Sequence, residues 1–120
     1  MNARDTRLRK QADFALIFEQ GRSVAANGLV LYWTIRSGTS GLPRAGFCVG
    51  KRLGKAVRRN RIKRLMRENW RQLVAEITVP ADLVFLARNG GVQFSLAQWA
   101  TAMRFVLRKA RLVNPGDDGR

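Results

Sequence analysis

Arg44–Ala87 reads RAGFCVGKRLGKAVRRNRIKRLMRENWRQLVAEITVPADLVFLA, and the order of its elements decides the fold. Arg44–Val49 is short, apolar and bounded by turn-forming residues, as a strand should be. Gly50–Lys55 is a basic connection containing glycine. From about Ala56 to Ile77 the apolar residues recur at helical spacing, and Pro80 marks the break after them. Asp82–Ala87 (DLVFLA) is a second strand, closed by Asn89-Gly90-Gly91. The segment is therefore strand, long helix, strand.

Upstream, Phe14, Ile17 and Phe18 place a helix over Gln11–Gln20, with Gly21 just past its end. Leu29–Ile35 (LVLYWTI) is rich in residues suited to a pleated, buried surface. Asn27-Gly28 is a tight-turn signal that joins it to a short strand at Ser23–Ala26. Ser37–Pro43 is a loop by composition. Downstream, Ser95 is placed to cap a last helix running to about Arg111. The order helix, strands, helix, strand, helix predicts an α+β fold, with three helices packed on a small mixed sheet. The expectation is one domain over residues 1–120, ordered over roughly 7–113. The polar stretch 1–10 should be extended or partly mobile, and the tail 114–120 frayed and flexible.

Twenty-three Lys and Arg face eight Asp and Glu, a formal +15 over 120 residues. That charge opposes folding by self-repulsion and favours a polyanionic partner. Histidine is absent, which removes the commonest general base and metal ligand. Cys48 is the only cysteine, so neither an intrachain disulfide nor a thiolate metal site can form; beside Phe47 and Val49 it reads as a small buried hydrophobe. The acids are scattered. Glu68 and Glu76 lie about two helical turns apart and make at best one phosphate-linked metal ligand. The glycines at 46, 50 and 54 make no dinucleotide fingerprint. No stretch approaches a membrane span and no secretory signal opens the chain, so a soluble cytoplasmic protein is expected.

Between Lys51 and Arg71, ten of 21 residues are Lys or Arg and only Glu68 is acidic. Projected at about 100° per residue, Ile62, Leu65, Met66, Trp70 and Leu73 share one side. Lys63, Arg64, Arg67 and Arg71 fall opposite. Arg58, Arg59, Asn60 and Arg61 sit near the helix start, where free backbone N–H groups also favour phosphate. A merely solvated face would mix signs to gain i,i+4 pairs. Here Lys63/Arg67 and Arg67/Arg71 repel, and seven of the ten cations are Arg, whose planar fork matches phosphate oxygens. The pattern predicts a rail for RNA phosphates. Phe14 and Phe18 share a helix face and Tyr32 lies mid-strand. Exposed aromatics beside cations can stack on bases, but a Phe pair at this spacing reads more simply as core. Trp33, Trp70 and Trp99 read as core or core-edge residues.

The run Arg59-Asn60-Arg61-Ile62-Lys63-Arg64, inside GKAVRRNRIKRLMRE, resembles the RNR signature of the bacterial ribonuclease P protein subunit. GFCVGKRLGKAV and FALIFEQGRSV resemble that family's strand with its basic loop and its first helix, so the likeness runs from about Arg7 to Arg111. The resemblance implies a one-to-one partnership with a catalytic RNA that removes the 5′ leader of precursor tRNA. It places the active site and Mg²⁺ in the RNA, with no catalytic residue, obligate metal, membrane or dinucleotide contact in the protein. It implies RNA binding by Arg59, Asn60, Arg61, Lys63, Arg64 and Arg67, to which the helix start and the cationic side add Arg58 and Arg71. It also implies leader binding by Phe14, Phe18, Tyr32, Lys51, Arg52 and Lys55, which turns the two phenylalanines from core into cleft. A left-handed βαβ crossover around the RNR helix is implied too, against the usual hand. Gly50 departs from the small hydroxyl residue often found at that position.

Overall fold

The computed structural model describes residues 6–37 and 41–113. Helix α1 (Gln11–Gln20) leads into strands β1 (Arg22–Ala26), β2 (Leu29–Ile35) and β3 (Arg44–Val49). A 3-10 turn at Lys51–Leu53 precedes α2 (Ala56–Leu73), and β4 (Ala81–Ala87) and α3 (Leu96–Lys109) complete the domain. The sheet runs β1-β2-β4-β3. β1 with β2 and β2 with β4 are antiparallel, while β3 and β4 are parallel and joined through α2. This is the expected α+β architecture, and β2 and β3 have the bounds expected of them.

Period-two alternation explains the layering. Leu29, Leu31 and Trp33 of β2 are buried on one face with Ala45, Val49, Leu83 and Phe85. Against that face α2 supplies Ile62, Met66, Trp70 and Leu73, and α3 supplies Trp99, Met103, Val106 and Leu107. β4 is central and buried along most of its length. The three tryptophans are core residues, as expected.

The other face carries α1, which lies across three strands. Tyr32, Val84 and Gly46 are neighbours in one row of the ladder. The Phe14 ring sits on Gly46, where even a Cβ would collide with it. Ile17 packs in a small cluster with Leu8 and Val84. Phe18 meets Tyr32 edge-on, with ring centroids 4.9 Å apart. Three apolar residues at helical spacing thus reach β3, β4 and β2 in turn. Gly21 serves by close approach, since a Cβ there would meet the Ile17 and Trp33 carbonyls; its φ of −78° needs no glycine.

Several boundaries differ from expectation, and β1 and β4 each begin one residue early, at Arg22 and Ala81. α2 stops at Leu73, four residues short, and tightens into a 3-10 turn at Val74–Glu76. Ile77 is then extended and bridges Val113, so burying this β-branched tail outweighs prolonging the helix. α3 ends at Lys109, because Arg111 turns left-handed (φ 61°) and Leu112 N–H bonds back to Leu107. At the other end, where an extended or partly mobile start is expected, Thr6–Leu8 is docked: Leu8 N–H donates to the Ala45 carbonyl at 2.9 Å, and Trp70 Nε1 donates to Thr6 Oγ1 at 3.2 Å. The expectations for residues 1–5, for 38–40 of the loop and for the 114–120 tail lie outside the described residues.

Asp82 is nearly buried and anchors one end of the sheet. Arg44 grips it with both Nε (2.9 Å) and Nη2 (2.8 Å), and Arg36 donates to the same carboxylate. The Asp82 hydrogen bonds hold the Arg44 guanidinium above its ordinary value, against the opposing pull of burial. Asp82→Ala leaves two cations without their acceptor and is expected to lower stability by about 2 kcal/mol. A urea midpoint unchanged from wild type would show that water satisfies both guanidiniums.

Candidate nucleic-acid interface

α2 is amphipathic in the way its sequence predicts. Ile62, Met66, Trp70 and Leu73 are buried, and Leu65 packs beside them. Arg58, Asn60, Arg61, Arg64 and Arg71 are exposed. No acidic side chain among the described residues pairs with any of these arginines. Among the described residues these arginines therefore carry their charge without an ion pair, with Glu68 the one acid exposed on the same helix between Ala56 and Leu73.

The cations do not form one stripe, however. Arg59, Lys63 and Arg67, spaced i,i+4, are half-buried on the flank toward β3. Arg59 Nε donates to the Gly54 carbonyl at 3.1 Å, which steadies the basic connection and leaves the four Nη protons for other acceptors. Lys63 lies close enough to Cys48 for its charge to oppose the rise that burial imposes on the thiol. Burial lowers the Arg67 guanidinium below its ordinary value, and the nearby Arg7 lowers it further. Two like charges held together with no acid among the described residues beside them make a strong site for an anion. A notch of about 170 Å³ opens there, between Arg7, Arg67 and Arg71, with Phe47 and Trp70 in its wall.

The open sheet face is the second region. Beyond α1 the next ladder row is Val30, Leu86 and Cys48, all half-buried. Cys48 therefore lines this face instead of the main core. Phe18, 41% exposed, and Tyr32 border this apolar floor. The Gly50–Lys55 connection leaves from the end of β3 next to the row, with Lys51, Arg52 and Lys55 exposed. Arg52 shares a depression of about 290 Å³ with Leu86 and Arg88. A side chain at Gly50 would meet nothing within 4 Å, so a serine would fit there without collision. Among the described residues no three metal-ligating side chains gather, and no helix is long and apolar enough to cross a membrane.

A family model described as Ribonuclease P matches residues 2–111. The chain belongs to the ribonuclease P protein family. The ribonuclease P protein component of Shouchella clausii is 35% identical over 112 residues, 93% of this chain and 91% of that one. The ribonuclease P protein of Staphylococcus aureus has the same fold, with a TM-score of 0.81 at 34% identity over 91% of this chain and 98% of its own. That of Thermotoga maritima gives 0.77 at 28% identity, covering 86% and 96%.

The structure sorts the family-derived residues. Phe18 and Tyr32 come together at an open surface, and Phe14, half-buried like Tyr32, is packed on Gly46. Arg59 divides its donors between the fold and the surface. Arg7 and Arg88 are cations at these surfaces that sequence reasoning passed over. A lone Arg in a polar leader carries no periodicity, and a lone Arg directly after a strand, as at Arg88, is an ordinary strand end. If the notch seats a phosphate, Arg7→Ala should flatten the salt dependence of RNA affinity by about one contact, 0.7–0.9 log units per decade of salt. An unaltered slope would remove Arg7 from the interface.

Proposed function

We propose that this ribonuclease P protein component binds the catalytic RNA through α2 and holds the 5′ leader of precursor tRNA on the open sheet face, in the cytoplasm. The observation that carries the reading is α2 itself. One side is fixed in the core by Ile62, Met66 and Trp70, and the other presents arginines with no acidic partner among the described residues. The fixed helix backbone presents guanidiniums that match the phosphates of a folded RNA, so only the side chains are left to order at binding.

The leader is assigned to the floor of Val30, Leu86 and Cys48. Phe18 and Tyr32 supply stacking there, and Lys51, Arg52 and Lys55 supply phosphate contacts. In this reading no side chain of the protein is catalytic, and the RNA holds the Mg²⁺ ions and the scissile bond in a one-to-one complex. RNA catalyst and precursor tRNA are both polyanions, so a +15 protein at their junction screens their repulsion. Because mature tRNA has lost the leader, contacts to it favour substrate over product.

The test adds purified protein to a bacterial ribonuclease P RNA at low Mg²⁺. Restored cleavage at the mature 5′ end is expected. Specific cleavage by the protein alone would move the active site into this chain and overturn the assignment.

A further inference from the structure

On the far side of the molecule from the Phe18–Tyr32 surface, a trough of about 710 Å³ runs between the free edge of β1 and α3. Ala26, Ala97 and Ala102 leave its floor low, and Phe94 and Phe105 are its aromatic walls. Phe105 is 49% exposed, a large aromatic surface left open to solvent. Lys109 Nζ lies 5.6 Å from the Phe105 ring centroid, and among the described residues no acidic side chain lines the trough.

We propose that this trough seats one unpaired nucleotide of the RNA partner, with its base stacked on Phe105 and its phosphate held by Lys109. The inference rests on the reading that the chain binds RNA. The occupant follows from the chemistry of the walls. A flat heterocycle covers an exposed ring face and tolerates any base identity. The cation at the rim and the net charge of +15 select an anionic occupant. The rim also offers both hydrogen-bonding senses. Gln98 Oε1 is taken by the Ser95 N–H at 2.8 Å, so its amide protons remain to meet a base carbonyl. The Thr101 hydroxyl donates to the Ala97 carbonyl at 3.2 Å, so its lone pairs remain to meet a base amine. β1 and β3 are opposite edges of the sheet, so this contact is separate from the notch at Arg7 and Arg67.

Dissociation constants of a transcribed bacterial ribonuclease P RNA decide the matter. They are measured across a salt series for wild type, Phe105→Ala, Phe105→Tyr and Lys109→Ala, with circular dichroism melts to show folding. Phe105→Ala should weaken binding by about 5- to 150-fold at an unchanged salt slope. Phe105→Tyr should bind like wild type, and Lys109→Ala should flatten the slope by about one phosphate contact. If Phe105→Ala fails to fold, the tyrosine and Lys109 variants carry the comparison. Tight wild-type binding with Phe105→Ala and Lys109→Ala unaltered overturns the trough and leaves the α2 reading standing. No wild-type binding overturns both. Self-association that Phe105→Ala abolishes, with RNA affinity intact, gives the trough to a second copy and also overturns the proposal.

Discussion

Alanine at Arg61, Arg64 and Arg71 together should weaken binding of ribonuclease P RNA by about 100-fold at 0.15 M salt. Each phosphate contact releases close to one counterion, worth about five-fold in affinity at that concentration. The three residues are exposed on one helix with no ion partner among the described residues, so their loss should leave folding intact. Removing like charges from a chain at +15 should if anything raise the melting temperature. The slope of log affinity against log salt should fall by two to three units. A triple variant whose slope matches wild type would place the RNA elsewhere, and the assignment of α2 would fail with it.

The second large effect separates two phenylalanines that are equivalent by spacing. Phe18→Ala should weaken the complex for precursor tRNA by about 5- to 150-fold, the range for loss of a stacked base. Mature tRNA, which lacks a leader, should bind as before. Phe14→Ala should instead destabilise the protein by about 3 kcal/mol, because its ring fills the space over Gly46 that no side chain occupies. Precursor and mature affinities measured side by side, with urea melts of both variants, give the answer. Equal weakening of the two tRNAs by Phe18→Ala would take the leader off this face.

These contrasts show where sequence stops being informative. The limits of β2 were legible because Leu29–Ile35 is bounded by Asn27-Gly28 and a polar loop and consists of strand-forming residues. The capping box at Ser95 was half legible from the serine alone; the structure adds Gln98 as its reciprocal partner. The buried side of α2 was legible from a 3.6-residue period. The division of its cations was not, since the setting of Lys63 and Arg67 depends on how far the helix overhangs β3. Asp82 looked like the first residue of a strand. Only the register that sets it beside Arg44 and Thr34 reveals an ion-pair centre. The end of α2 was misjudged for a similar reason: the bridge from Ile77 to Val113 spans residues far apart in sequence, which local propensity does not encode.

The docking of Leu8 on Ala45 bears on how the protein survives at high concentration. β3 would otherwise present bare amides and carbonyls at the rim of the sheet, a ready template for a neighbour's backbone to zip onto. The short clip pairs with that rim at Ala45 and sets Arg7 there, adding electrostatic repulsion toward any approaching twin. Trimming the chain past Leu8 should therefore yield material prone to fibrous aggregates even where the rest of the domain still folds.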